Sequence, residues 1–480
     1  MKLPRWTTFP ALAVLLVMAI VALPQGKNEL SRGAAQRARS GRVALNPGAT
    51  ATDQKSFARS VVEFLPSGYV TDGSVDYRAQ VQAAIEASAG GTLHLPDFPI
   101  RVSGTPGQRY ALLLRQGMRV LGSPSSELLT TQGAIQVLRA ENVDGLVLSG
   151  FTVRGIGSGG ASLGHGLVQV TGGNDVRVEG LTVIGADADG IAIANVRGAT
   201  LEGNTIEGAS KSSLYLSGCE GGVVRGNIVR DFGGHSLGGN PIGAGIQLSS
   251  NKNVVCSDNV ISDGVGIGIL CNANNGGQKP DGNILRGNRI HSVSNPTNIN
   301  VSCGIRCTNG AADKATSTLI TGNSLRGCGI YGIYLENHGG SAVLGNLVVE
   351  SVRTGILVSS IQDLQILDNV VLNSDASQNG GQAAIYLLNN AERVRCQGNV
   401  TRNSSLIGSA RALESIKDTS RGGGHSIEPR IDHATAPPTS GNWNTGDIVY
   451  NSRPTSGAQV GWVCTSPGSP GIWSGFGTIE

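Results

Sequence analysis

The sequence of 480 residues is defined first by what it lacks. No window sustains the 3.6-residue apolar period of an amphipathic helix, which excludes bundles and helical repeats and leaves strands and turns. The apolar run near the start, Ala11 to Leu23, has 13 residues, where a membrane span needs about 20. The eight cysteines (Cys219, Cys256, Cys271, Cys303, Cys307, Cys328, Cys396, Cys464) lack the paired spacing of a zinc site, and Cys303 with Cys307 alone does not make one. A basic body is missing too. The net charge is +3, but residues 1–47 hold seven Lys or Arg against Glu29, a local +6 that leaves −3 on the remainder. A slightly acidic body has no electrostatic reason to seek DNA or RNA, so no nucleic-acid partner is expected.

What is present is a returning phrase: an apolar Gly-Ile-x-Leu-like strand followed about a dozen residues later by Gly-Asn-x-Ile or a near variant. Its anchors are Gly180, Gly203, Gly226, Asp258, Gly287, Gly322, Gly345, Asp368 and Gly398, spaced 23, 23, 32, 29, 35, 23, 23 and 30 residues apart. A step of this size marks a solenoid, whose units bury their apolar faces only by stacking. Short alternating runs separated by Gly, Asn and Ser give three strands and three corners per coil, and 71 glycines suit corners that need positive φ. After the anchors stand Asn204, Asn227, Asn259, Asn288, Asn323, Asn346, Asn369 and Asn399, which read as a structural amide ladder on coils about 4.8 Å apart. The same phase predicts an inward column of Ile191, Leu214, Ile246, Ile269, Ile305, Ile333, Ile356 and Ile385. In opposite parity lie Arg154, Glu207, Arg230, His291, Arg326 and Arg402, an outward polar strip. Cys271 and Cys307 fall at one inward position on successive coils, as free apolar fillers or as a bonded pair.

From about residue 64 to 405 the chain resembles the right-handed parallel β-helix proteins of the pectate lyase superfamily. Asp72-Gly-Ser-Val-Asp-Tyr through Gly90-Gly-Thr-Leu-His-Leu-Pro96 is similar to that family's opening segment, in which a short helix, here with Val81, Ala84 and Ile85 on one face, caps the first coil. The resemblance implies an all-β, right-handed parallel β-helix solenoid with a capping helix. Past residue 425 the repeat stops, and the Trp-rich stretch from Pro437 to Trp473 looks like the small β module that ends many secreted and phage-tail β-helix proteins; its tryptophans read as a core rather than as sugar platforms. The expected organisation is a signal peptide or anchor at 1–26, a linker at 27–60, the β-helix at 61–425 and the module at 430–480. Lys2 and Arg5 before the 13-residue run suit an export signal, so a secreted or cell-surface location is expected. The basic cluster from Lys27 to Arg42 keeps an uncleaved membrane anchor as the alternative.

Functional residues are sought on one outer face, where strands repeating at one height present a row of side chains to an extended polymer. Long insertions at Asp231 to Gly243, His291 to Cys303 and Asp375 to Gln382 fall at one corner, and those at Asn272 to Asp281 and Gly310 to Ser317 at another, which implies a groove between them. The position before each Gly-Ile strand reads in phase as His165, Asp189, Ser212 and Ala244, with Asp187 and Lys211 beside it. His165, the Asp187/Asp189 pair, Lys211 and, in the following insertion, His235 are the candidate catalytic residues. Two carboxylates two residues apart on a strand point the same way, and their repulsion is expected to raise one pKa. Asp187-Ala-Asp189-Gly190-Ile191 is also similar to the Asn-Thr-Asp-Gly-Ile-Asp motif of polygalacturonase-type hydrolases. Where that family carries an Asp pair and a Gly-His-Gly on the next coils, this chain has Lys211-Ser212 and Gly243-Ala244-Gly245, a departure from inverting two-carboxylate hydrolysis. A β-elimination asks instead for a cation beside the uronate carboxylate and a base at the neighbouring carbon. Lys211, Arg230, His235 and Tyr215 supply those types, Arg154, Arg230, Tyr215 and Asp231 are candidate substrate-binding residues, and Asp187, Asp189 and Asp231 could hold Ca²⁺ through oxygen ligands. No other cofactor is expected. The leading reading is an exported polysaccharide lyase or glycoside hydrolase acting on an acidic polysaccharide; the alternative is a non-catalytic glycan-binding adhesin or tailspike-like protein.

Overall fold

The computed structural model describes residues 58–480 apart from 105–106, 158–165, 235, 238–239, 242, 274–277, 296–301, 310–316, 375–382, 403–415, 421–424, 428, 430, 441–442 and 469. Contacts divide the chain into Met1–Lys55 and Ser56–Glu480. The first unit, with the expected signal and most of the linker, lies outside the described residues, as do His165 and His235. Among the described residues no helix is long and apolar enough to cross a membrane.

The chain winds through three parallel sheets in turn. Sheet I has 14 strands, from Ala58–Ser60 to Ser426–Ile427; sheet II has 12, from Pro99–Arg101 to Val400–Arg402; sheet III has 12, from Tyr110–Leu113 to Ile416–Asp418. One coil runs Arg177–Glu179 in sheet I, Thr182–Ile184 in sheet II and Asp189–Ala194 in sheet III, and each strand pairs with its counterpart one coil away. This is a parallel β-helix, as the 23-residue step requires. Insertions leave the phase undisturbed: Ile269 pairs with Ile305 and Ile356 with Ile385. The whole predicted isoleucine and leucine column is shielded from solvent and forms the core.

Two columns hold the coils together at the corner between sheets I and II. The anchor residues all take the left-handed conformation, with φ between 56° and 65°. Beside them the asparagine ladder runs unbroken from Asn204 to Asn399, each Oδ1 accepting from the preceding asparagine's Nδ2 at 2.9 Å in seven consecutive steps. The same Oδ1 accepts that residue's backbone N–H, and Nδ2 also donates to a backbone carbonyl, so buried amides are satisfied along the axis.

The glycine of the Gly-Ile phrase has another purpose. It does not adopt a positive φ; instead a Cβ on Gly268 would lie 2.5 Å from Gly304 O and 2.6 Å from Ile290 Cγ2. Glycine and isoleucine therefore both face inward, and the strand kinks so that the preceding residue faces out.

The helix Arg78–Ala87 buries Val81, Ala84 and Ile85 and covers the open edge of sheet III. Gln82 exchanges two hydrogen bonds with the Leu113 backbone, and Arg78 Nε donates to Ala111 O, which satisfies an edge that would otherwise template aggregation. At the other end Ile431–Ala434, Ile448–Asn451, Gln459–Ser466 and Ile472–Thr478 form a separate four-stranded sheet. Trp443, Val449 and Cys464 are its core, with Trp462 and Trp473 packed on them and Trp443 edge-on to Trp473 at 4.9 Å. All eight cysteines are buried and none is in a disulfide; Cys271 and Cys307 stand in register on successive coils as thiols.

Candidate functional site

The corners that carry the insertions are the two ends of sheet III: one between Arg230 and Ala244, the other between Thr308 and Thr318. The outer face of sheet III therefore lies between them. Because of the Gly-Ile kink, the first outward row contains Asp189, Ser212, Ala244, Ile267, Cys303 and Tyr331. Its direction is fixed by contacts: Ser212 Oγ donates to Gln247 on the outer face, and Ala244, Ile267, Leu270 and Cys303 form a cluster separate from the main core, with Tyr331 and Tyr334 against it.

Asp189 is the unusual member. Its side chain is 0 % exposed, Oδ1 accepts the Ser212 backbone N–H at 3.1 Å, and Oδ2 has no hydrogen-bond partner among the described residues. Burial raises its pKa to about 6, opposed by the Lys211 ammonium and the Ser212 N–H. Lys211 Nζ lies 5.8 Å from the centre of the Tyr215 ring. Asp189, Lys211 and Tyr215 are thus brought together on adjacent coils, while the other candidates go elsewhere or fall outside the described residues.

Asp187 does not perturb Asp189 as expected. Its Oδ2 accepts the backbone N–H of Ala134 at 2.7 Å, two coils back along the axis, and the rise in the Asp189 pKa comes from burial rather than from repulsion between the two. Gly166 pairs with Asp189, the register place the sequence phase gives to His165, and Val168 and Val170 take the inward places on that strand. Arg154, Arg230 and Asp231 lie on or beside sheet II. Arg154 pairs with Glu127 at 2.5 Å and Arg230 with Glu207 at 3.7 Å. Asp231 takes φ 53° directly after its sheet II strand, in the column of Gly185 and Gly208, so its local role is to turn the chain. Among the described residues no three His, Cys, Asp or Glu lie close enough to hold a metal ion, so Asp187, Asp189 and Asp231 do not form a joint cation site.

Sequence reasoning missed the second outward row. It is the x of Gly-Ile-x-Leu, and it places Tyr215, Gln247, Leu270, Arg306, Tyr334 and Tyr386 in one line along sheet III. The repeat phrase held the signal, had the variable position been read as well as the constant ones.

A family model described as a right handed beta helix region matches residues 134–316. Among solved structures, the catalytic unit of the thermostable GH87 α-1,3-glucanase from Streptomyces thermodiastaticus strain HF3-3 is similar, with 14% identity, 78% of this chain and 69% of that chain covered, and a TM-score of 0.55. The family 28 exopolygalacturonase of Yersinia enterocolitica is similar at 10% identity, covering 78% of this chain and 79% of that one, with a TM-score of 0.53. No protein of curated function matches the sequence. The fold is a right-handed parallel β-helix, as the resemblance implied.

Proposed function

We propose that this chain is an exported carbohydrate-active enzyme, a polysaccharide lyase, that cleaves a uronate-bearing polymer along the outer face of sheet III with Asp189 as the proton-transfer residue. One observation carries the reading: a fully shielded carboxylate on the outward row, with one oxygen unpartnered among the described residues and a pKa near 6, beside a lysine. Perturbed acids of this kind concentrate where protons are moved. The two similar folds, both named as glycan-acting enzymes, support a carbohydrate substrate.

Elimination suits the residues better than hydrolysis. Inverting hydrolysis needs a second carboxylate about 6.5–9.5 Å away, and the rows next to Asp189 offer Ser212 and Ala244 instead. In an elimination the Asp189 carboxylate takes the proton from the carbon next to the uronate carboxylate. The electron pair forms the ring double bond, and the glycosidic oxygen leaves with a proton returned by the same acid. A pKa near 6 lets one group serve in both roles near neutral pH. Lys211 supplies the positive charge that holds the substrate carboxylate and stabilises its enolate-like state. Asp187 and Asp189 are the carboxylates that would hold Ca²⁺, which would neutralise the substrate carboxylate.

A second reading, a binding-only adhesin, is favoured by the shielding of Asp189: its carboxylate is 0 % exposed, so the elimination requires covering side chains of the outer face to move aside before a substrate reaches it. The test incubates wild type and Asp189→Asn with acidic polysaccharides, with and without added Ca²⁺. Products absorbing in the near ultraviolet are expected from wild type, and a loss of at least about 100-fold in rate from the variant. New reducing ends without that absorbance make it a hydrolase, binding without products an adhesin, and full activity in Asp189→Asn removes Asp189 from the mechanism.

A further inference from the structure

The aromatic side chains of sheet III are not confined to the neighbourhood of Asp189. Among the described residues four ring–cation pairs occur, Arg139 over Tyr110, Lys211 over Tyr215, Arg306 over Tyr334 and Lys417 over Tyr386, and all four stand on the outer face of this sheet. The last two belong to its C-terminal half. There the Arg306 guanidinium sits 5.3 Å from the Tyr334 ring centre, Tyr331 packs against Tyr334 with centroids 5.3 Å apart, and Lys417 Nζ lies 5.4 Å from the Tyr386 ring. Leu357 fills the row between Tyr334 and Tyr386 and is buried there. Arg306 Nε is shielded from solvent and donates to no acceptor among the described residues. Rings laid along the polymer axis, with positive charge beside them and one donor unsatisfied, suit sugar rings that carry negative groups.

We propose that Tyr331, Tyr334 and Tyr386, with Arg306 and Lys417, form a second binding platform for an anionic polysaccharide, separate from the reacting centre at Asp189. In strand order the Tyr331 strand is five steps from the Asp189 strand and the Tyr386 strand seven. At ~4.8 Å per step those are about 24 and 34 Å. A short oligosaccharide at Asp189 does not reach the platform, whereas a long chain engages both sites. The two sites then act as linked modules, and the gain appears only for chains that span them. The proposal rests on the reading that this face takes an acidic glycan, and its occupant is fixed by charge complementarity and by continuity with the Asp189 face.

The test uses the full chain and two probes, long polygalacturonate and its trisaccharide, with a neutral glucan as control. The double variant Tyr334→Ala/Tyr386→Ala is expected to lose at least about tenfold in affinity for it and to keep wild-type affinity for the trisaccharide. Lys417→Gln, a milder change, is expected to weaken long-chain binding about threefold and to reduce its salt dependence. Unchanged long-chain affinity in both the double variant and Lys417→Gln overturns the platform, as does equal binding of the neutral glucan, or no binding of polygalacturonate by wild type. Tyrosine-dependent binding without cleavage keeps the platform and removes the lyase reading. Asp189-dependent cleavage with an unchanged KM for long chains in the double variant does the reverse.

Discussion

The outer faces of sheets II and III are built on the same backbone repeat, yet most of their charged residues find different partners. On sheet II the charges answer one another across coils: Arg230 with Glu207, Arg154 with Glu127, Arg326 with Glu350 at 3.2 Å. Such solvated pairs contribute roughly 0–1 kcal/mol each and make a soluble wall. On sheet III the cations lie over rings, Arg139 also pairing with Glu141 on its own strand, and among the described residues one buried carboxylate oxygen and one guanidinium nitrogen have no hydrogen-bond partner. A solenoid offers every coil the same scaffold, so function is marked less by where a residue falls in the repeat than by whether its neighbours satisfy it. Mutual satisfaction marks the wall and its failure marks the site.

The interior sets the scale for both faces, and the largest expected effect is there. Asn288 Oδ1 accepts from Asn259 N and Nδ2, while its own Nδ2 donates to Cys256 O and Asn323 Oδ1. Asn288→Ala orphans buried partners on the coils to either side, each costing about 1–3 kcal/mol when left dry. A loss of about 4 kcal/mol is expected in urea unfolding. A loss below about 1 kcal/mol would mean that water replaces the ladder, and the inside would then be no stiffer than the walls.

Next in size is the effect of the buried acid itself. Its folded pKa, about 6, lies above the ordinary aspartate value of 3.8, so the folded chain holds this proton more tightly than the unfolded one. Stability from this group is therefore full below about pH 4, is lost as pH rises toward 6, and stays lost above that. Asp189→Asn removes the charge that burial penalises. It is expected to be more stable than wild type by about 3 kcal/mol at pH 7.5 and equal to it near pH 3.5. A difference that does not change with pH would show that Asp189 is not held as a strained acid, and the contrast between the two faces would lose its strongest member.

Most of the fold was legible because stacking makes the sequence state its geometry repeatedly: Asn204 to Asn399 and Ile191 to Ile385 are the same two places seen eight times each. The site was legible only in part. Asp189 and Lys211 follow from the phase, whereas Tyr215 and Asp231 are chosen by residue type, and the phase that puts Arg154 and Arg230 on an outward strip does not say which of three faces that strip is on. The alternation rule also fails at Gly268 and its equivalents, where two consecutive residues face inward. A reading by strict parity from Ile191 would have put Asp189 inside the core. The burial of Asp189 and the lack of a partner for Oδ2 among the described residues depend on packing from other coils, which no local pattern encodes.

The smallest expected effect tests the other side of the comparison. Arg230 is a plausible glycan ligand by type, and its guanidinium lies on the sheet II wall, 3.7 Å from Glu207 and half exposed. Arg230→Ala breaks one solvated pair and leaves Glu207 free to water, so stability is expected to change by less than about 1 kcal/mol. Its long-chain KM and its rate are expected to match wild type, because the polymer track runs along a different sheet. A tenfold rise in KM from Arg230→Ala, with unfolding unchanged, would place the substrate across the corner between sheets II and III. Paired charges would then be no guide to which wall is inert, and the Asp189 face would have to be redrawn to include its neighbour.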